Sequence, residues 1–414
     1  MQRIAGVATI AAAALLAGAA HADIITDWNI KTLEFTRAAQ SPGSAQARAL
    51  AMVHVAMADA VNSVKGRFTR YRASIPAMPN ASAETAAAAA ARKILTELFA
   101  NQKPTIDEAY AASLKSIPDG ESKTQGIALG EQAAVAILAE RATDGTTAPD
   151  TYRPITSPGV WVPTATPQTE QYARAKPWVL KSADQFRPGP PPALSSAVYA
   201  RDYNETKSLG GATSTARTAE QTALVRFWPT PSLGPGWQAA ARQIAAAREL
   251  PLDECARFFA LLAMASANSF IADWDAKFTY NFWRPVTAIR NGDQDGNDAT
   301  ERDAGWTPMA PTPMHPEYPS QAAISAGVAM GVFEALFGPN LALPITIADP
   351  ADPSKTRTLN SVAQLAEEHN NVRILGGNVR ILGGIHFRNS LEVATDMGRK
   401  IAAYVVENAI KSVR

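Results

Sequence analysis

"SAQARALAMVHVAMADAVNSV", residues 44–64, sets Leu50, Val53, Met57 and Val61 at helical spacing, so that large apolar side chains share one stripe. The pattern recurs at 83–98, 106–114, 122–140, 193–208, 237–249, 252–282, 321–337 and 391–412. Alternating, β-branched runs of strand length are nearly absent. Between the helical segments lie proline-rich connections, "APDTYRPITSPGVWVPTATP" at 148–167, "FRPGPPPA" at 186–193 and "GWTPMAPTPMHPEYP" at 305–319. They are too apolar and aromatic for disordered linkers, and they predict ordered loops wrapped over a helical core. The fold class that follows is all-α, with nothing to divide residues 23–414 into more than a single domain.

The chain has 414 residues, 46% of them hydrophobic, enough to bury a large core. Its first residues, "MQRIAGVATIAAAALLAGAAHAD", combine Arg3, an apolar stretch and the small-x-small pattern Ala20-His21-Ala22. This is the layout of a signal peptide, residues 1–22, cleaved before Asp23; the apolar core is short for a membrane span. The sequence therefore predicts a periplasmic or secreted protein whose mature chain has no stable membrane span. The competing reading is an uncleaved anchor. The formal net charge is +1, without a basic face, so nucleic acid is a poor partner. The single cysteine, Cys255, cannot form an internal disulfide and sits in an apolar helical run, where an inert buried thiol is expected. The loop "NGDQDGNDATERD" spaces Asp293, Asp295 and Asn297 as a calcium loop would, but Asp298 and Ala304 replace the required Gly and Glu. A solvated turn is the better reading.

Three segments carry cations and anion donors. In "DWDAKFTYNFWRPV", Lys277 and Arg284 are seven residues apart, about 20° from eclipsed on a continuous helix and about 10 Å apart along its axis. A point charge and a planar fork could hold one tetrahedral or trigonal oxyanion between them. Pro285 would stop the helix, and Asp273 could orient or neutralise Lys277. In "HPEYPSQAAISAGVAMGVFEALFG", Ser320 is placed to cap a helix whose first amides, at Ser320, Gln321 and Ala322, would face an anion. An ordinary cap explains that pattern equally well. The third segment, "NVRILGGNVRILGGIHF", writes "NVRILGG" twice, at 371–377 and 378–384, and then gives His386. Gly383 and Gly384 allow close backbone approach. A lone histidine is commonly structural, and a Lys/Arg pair is commonly a solvated helix face; the order of the three segments is what outweighs these readings.

That order resembles the vanadium-dependent haloperoxidase and type 2 phosphatidic acid phosphatase superfamily, in its bacterial haloperoxidase-like branch. The motif K-x6-R-P is met by Lys277, Arg284 and Pro285, and R-x3-G-x-H by Arg380, Gly384 and His386. "TDWN", "ARALAMVHVAMADAVN", "HPEYPS" and "GGIHFR" also look like segments of that branch, so the likeness spans nearly the whole mature chain. The resemblance implies a helical-bundle scaffold and a vanadate cofactor, with phosphate able to occupy the same site. It implies that His386 binds the metal through a ring nitrogen, or attacks phosphorus in a phosphatase. Lys277, Arg284 and Arg380 would neutralise the oxygens, while Ser320, the Gln321 amide and Gly384 complete the cofactor-binding set.

The pattern also breaks. The second motif, P-S-G-H in the family, reads Pro319-Ser320-Gln321-Ala322, so a residue that moves protons is replaced by alanine. General acid–base help is worth about 10²–10⁴-fold. Val379 stands where the family often has Ser, and Ser390 where an acid commonly orients the key histidine, which predicts a backbone partner for His386. Of the other histidines, His54 lies in an apolar helix, His369 in "AEEHNN", and His315 reads as a structural loop residue. Counting back from His386, only Arg380 has the motif spacing; Arg373, in the first repeat, falls one repeat too early. The leading function is a peroxidase that uses hydrogen peroxide to oxidise halide, with a small organic acceptor; Phe278, Phe282 and Trp283 are candidates to line its pocket, or are core. The alternatives are a phosphomonoesterase acting on a phosphate ester and a non-catalytic oxyanion binder. A homodimer is a further expectation.

Overall fold

The computed structural model describes residues 24–413, except 72–74, 164, 168, 229–232, 340, 350–351, 353, 366–378 and the side chains of 233–235. The expected leader at 1–22, His369, Arg373 and the first "NVRILGG" copy therefore lie outside the described residues. The all-α expectation holds. Helices α1 (Ile24–Ala38), α2 (Gly43–Lys65), α3 (Ala83–Leu98), α4 (Lys103–Leu114) and α5 (Glu121–Arg141) are followed by the long proline-rich stretch. Then come α6 (Ala197–Gly210), α7 (Ala219–Phe227), α8 (Leu233–Ala247), α9 (Leu252–Tyr280), α10 (Pro285–Arg290), α11 (Gln321–Phe337), α12 (Val379–Leu382) and α13 (Arg388–Asn408). A two-stranded antiparallel hairpin, β1 (Ile345–Ala348) and β2 (Thr356–Leu359), pairs Ile345 with Leu359.

In the first half α3 packs on α5 and α2; in the second, α11 packs on α13 and α9. The two groups join where α2 meets α9, and one apolar core runs through both. Helix α9 is long and apolar enough to cross a membrane, yet most of it is buried as the central core helix. The α11–α13 contact is close because glycines face each other: a Cβ on Gly327 would strike the Thr395 carbonyl, and one on Gly398 the Ile324 carbonyl. This fixes the start of α11 beside the segment that carries His386.

Two sequence expectations need correction here. Helix α9 does not continue to Pro285; it ends at Tyr280, where Asn281 takes a left-handed φ of 48° as its C-cap. Pro285 opens α10 instead, and Arg284 is the extended N-cap of that short helix (φ −79°, ψ 154°). Lys277 and Arg284 are thus on different elements, so the axial spacing expected for one helix does not apply. The turn between them is pinned by the proline-rich stretch: the Trp161 amide donates to the Asn281 carbonyl at 2.8 Å, and the Trp283 amide to the Gly159 carbonyl at 3.0 Å. The acidic loop closes on itself, with the Asp295 carboxylate accepting from the Thr300 hydroxyl and the Asn297 amide.

Candidate functional site

Lys277, on the last turn of α9, is fully buried beneath the loop that precedes α11. Its ammonium donates to the carbonyls of Pro316 (3.0 Å), Glu317 (3.1 Å) and Pro319. Three N–H groups meet three acceptors, so this lysine fixes the loop that presents Glu317. Asp273 lies one turn earlier, 3.8 Å from the ammonium. That separation neutralises charge without a hydrogen bond, and both Asp273 oxygens lack a hydrogen-bond partner among the described residues. Burial pushes the Asp273 carboxyl up to about 7, against the pull of Lys277 and Arg284. Burial likewise draws the Lys277 ammonium down, opposed by Asp273.

Arg284 is the hub. Its Nε donates to the His315 carbonyl at 2.9 Å, and its Nη1 to the Ile385 carbonyl at 2.8 Å. The same Nη1 lies 3.1 Å from His386 Nε2, and Nη2 lies 3.0 Å from His315 Nδ1. A guanidinium can only donate, so both ring nitrogens accept. His386 therefore carries its proton on Nδ1, which donates to Glu317 Oε1 at 2.8 Å. The same oxygen takes the Phe387 amide at 3.0 Å. For His315 the proton sits on Nε2, and the 3.3 Å approach of Nδ1 to the Pro316 carbonyl is not a hydrogen bond.

Sequence reading missed Glu317, a residue inside the quoted "HPEYPS" run. The partner expected for His386 was a backbone group; the structure supplies a buried carboxylate, which fixes the tautomer and raises the basicity of Nε2. Burial raises the Glu317 carboxyl, opposed by Arg284, the Phe387 amide and Lys277, with the Ser390 hydroxyl helping to lower it. Burial, followed by Arg284, Lys277 and Arg380, holds the His386 imidazole well below its ordinary range, so it is neutral. Arg284 and Arg380 are drawn down to about 10 by burial, Arg380 also by Arg284, and both remain charged.

The structure brings most of the predicted residues together. Arg380 stands on the one-turn helix α12, buried, on the wall of a cavity of about 620 Å³ that also reaches His386, Gln321, Ala322 and His315. Ser320 is the N-cap of α11 by position, but its side chain caps nothing: the hydroxyl is buried with no hydrogen-bond partner among the described residues. The Ser320 amide is used by the Ser390 carbonyl at 3.2 Å, so only the Gln321 and Ala322 amides remain as the free start of the helix. Gly384 serves packing: at φ 75° its backbone lies against Gly210 of α6 and the Trp306 ring. Phe282 and Trp283 belong to a buried aromatic cluster, and Phe278 packs on Tyr152 and Trp161. The aromatic residues on the cavity are Trp228, Trp237, Phe270 and Trp274. Trp274 lies within the quoted first-motif segment, one residue after Asp273, whereas no local sequence signal tied Trp228, Trp237 and Phe270 to the motifs.

Around His386, three cations (Lys277, Arg284, Arg380) face two carboxylates (Asp273, Glu317), all buried. Buried guanidinium groups held in place in this way are preorganised to favour an anionic ligand. The Ser320 hydroxyl, without a hydrogen-bond partner among the described residues, and the two helix-start amides add donors, and His386 Nε2 offers a lone pair. This set suits an oxyanion and not a bare cation, and among the described residues no group of three or more His, Cys, Asp or Glu is arranged to hold a metal ion.

Comparison with known proteins agrees with that architecture. Residues 257–414 match the family model of the VCPO second helical-bundle domain. No curated protein matches the sequence. Among solved structures, the chain is similar to the first bacterial vanadium-dependent iodoperoxidase, with a TM-score of 0.79 and 24% identity over 94% of this chain and 97% of that one. It is similar also to a bacterial vanadium-dependent chloroperoxidase: the apo form gives a TM-score of 0.69 and 18% identity over 88% of this chain and 94% of that one. The holo form gives 0.68 and 18%, over 88% and 91%. The fold is that of the vanadium haloperoxidases, as the resemblance implied.

Proposed function

We propose that this vanadium haloperoxidase-like chain is an exported enzyme that holds vanadate beside His386 and oxidises halide with hydrogen peroxide. The observation that carries the reading is a neutral imidazole oriented by the buried Glu317 carboxylate, set beside the buried guanidinium groups of Arg284 and Arg380 and the Ser320 hydroxyl, which has no hydrogen-bond partner among the described residues. His386 Nε2, Arg284, Arg380, the Ser320 hydroxyl and the Gln321 and Ala322 amides are the groups that would hold the oxyanion, while Lys277 acts through the loop it fixes. When bound, vanadate supplies a Lewis-acidic centre that activates peroxide toward halide.

The chain's own part is positional. Glu317 keeps the proton on Nδ1 and the lone pair on Nε2. Arg284, Arg380 and the free helix start supply preorganised positive potential in a buried site. Ala322 lies on the cavity wall where the superfamily pattern has a proton-transferring histidine, so proton delivery falls to solvent entering the cavity. Water-sized products tolerate that. Expulsion of an alkoxide from a phosphate ester needs a positioned acid, which places phosphomonoesterase activity second. Phosphate shares the oxyanion shape and would compete for the same place. Export rests on the leader-like residues 1–22.

Calorimetric titration of the purified protein with vanadate and with phosphate, with parallel assays of bromide and iodide oxidation and of phosphate-ester hydrolysis, tests the reading. Vanadate binding with halide oxidation supports it. Hydrolysis without halide oxidation replaces it with the phosphatase, and binding with neither activity leaves an oxyanion-binding protein without turnover.

A further inference from the structure

The pair formed by His386 and Glu317 stands between two cavities. His386 is on the wall of the large one and Glu317 is not; Glu317 lines a second cavity, of about 10 Å³, which His386 does not reach. That is about the room one water molecule needs. Its wall is largely aromatic, from Phe282, Tyr318 and Phe387, yet Glu317, Ser390 and Asp202 also lie on it, each at most 1% exposed. Asp202 belongs to α6 and Ser390 to the first turn of α13, so three separate parts of the fold meet there.

The two Glu317 oxygens are used unequally. Oε1 accepts from His386 Nδ1 and from the Phe387 amide, while Oε2 is buried with no hydrogen-bond partner among the described residues. The Ser390 hydroxyl is in the same condition. It lies close enough to Glu317 to lower the carboxyl, yet without the geometry of a direct bond. A buried carboxylate oxygen without a donor is costly, and polar groups that share a small space without touching are commonly bridged by water. The Asp202 oxygens each take one donor, Arg201 Nε at 2.7 Å and the Asn389 amide at 2.7 Å, and a carboxylate oxygen can accept twice. A water has two protons to give, one for each acid, and lone pairs for a hydroxyl. Ser390 alone could serve only one acid.

We propose that this small cavity is a site for one buried water, which donates to Glu317 Oε2 and to Asp202 and accepts from the Ser390 hydroxyl. Ser390 is then a positioning residue. Through the water it sets how the Glu317 carboxylate shares its charge between Oε2 and Oε1, and hence how firmly the His386 Nδ1 proton is held. The serine that stands where the superfamily pattern has an acid thereby has a use: the acid comes from the loop before α11, and the small side chain leaves room for the water. The water site stands on this geometry alone; only its relevance to vanadate rests on the haloperoxidase reading.

Ser390→Val and Ser390→Thr test the proposal, because they add the same bulk and differ only in the hydroxyl. With the full chain labelled by 15N-histidine, the resonance to follow is the Nδ1–H signal that His386→Gln removes. Ser390→Thr should leave that signal at its wild-type position. Ser390→Val should move it downfield, since Oε2 loses its donor network and Oε1 binds the imidazole proton more strongly. A serine needed only for packing would leave the signal in the same place in both variants. A crystal structure of the wild type should show one ordered water within hydrogen-bond distance of Glu317 Oε2 and Ser390 Oγ. No ordered water there, or the same Nδ1–H position in the two variants, overturns the proposal. Vanadate calorimetry on the same wild-type sample keeps the two readings apart: the water and the shift, found without affinity for vanadate, support the site and overturn the haloperoxidase reading alone.

Discussion

His386 and His54 are both buried, both beside an arginine, and both held far below the ordinary imidazole range, His54 to about 3 by burial and Arg242. Their settings otherwise differ at each nitrogen. His54 Nε2 accepts from the Asn29 amide, its Nδ1 is buried with no partner among the described residues, and its ring stacks on Phe259 at 5.2 Å. Among the described residues no acid is hydrogen-bonded to it, and it is not on the cavity wall. His386 has a carboxylate behind Nδ1, a guanidinium before Nε2, and an open cavity alongside. A depressed imidazole is therefore no mark of a site by itself; what separates the two is an orienting acid, a cluster of buried cations and room for a ligand.

The comparison breaks most directly at the histidines themselves. His386→Ala should abolish vanadate binding, a loss of at least about a hundredfold, because it removes the one imidazole donor and leaves Arg284 and Glu317 without their shared partner. His54→Phe should cost about 1–3 kcal/mol of stability, by stranding the Asn29 amide, and leave vanadate affinity unchanged within about twofold. Calorimetry and thermal melts on both variants decide it; equal losses of affinity would mean that the two histidines share one network.

The next effect belongs to the acids beside His386. Asp273 is raised from 3.8 to about 7 by burial. Below 3.8 both folded and unfolded states carry the proton, and there is no penalty. As pH rises, the unfolded chain ionises first, so stability falls until about pH 7 and is flat beyond. The shift corresponds to roughly 4 kcal/mol at most. Denaturant unfolding of wild type between pH 4 and pH 8 should show that decline, and Asp273→Asn should make it shallower, the raised Glu317 carboxyl keeping the remainder. An identical slope in the variant would assign the pH dependence elsewhere.

The helices were legible where cap and period coincide. Residues 83–98 were read with the bounds observed for α3, where the Ser82 hydroxyl takes the Thr85 amide, and 321–337 with those of α11 before Gly338. Helix α1 was not, because its buried face includes Asn29, Thr32 and Thr36, which hide the apolar stripe. Helices α10 and α12 have six and four residues, too few to show a period. At the site, residue identities were readable from motif spacing, but contacts were not. Asn281 ends α9 through a left-handed turn that apolar periodicity does not register, so the shared-helix geometry of Lys277 and Arg284 failed. Glu317 meets His386 across 69 residues of sequence, beyond any local pattern.

Glu317 gives the finest test of what distinguishes the two histidines. Glu317→Gln keeps an acceptor for the Nδ1 proton and the Phe387 amide but removes the charge. Two consequences oppose each other. A negative charge beside the site is lost, which favours any anion; the imidazole becomes less basic, which weakens only a ligand that takes electrons from Nε2. Loss of such an outer partner typically costs about 10–100-fold in metal affinity. Phosphate needs no bond from Nε2 and should bind as well or better, whereas vanadate should weaken, so the vanadate-to-phosphate affinity ratio should drop about tenfold. If both anions strengthen together, Nε2 is a bystander and His386 differs from His54 only in its electrostatic setting. A ratio that falls while phosphate holds would locate the difference in the lone pair that Glu317 maintains.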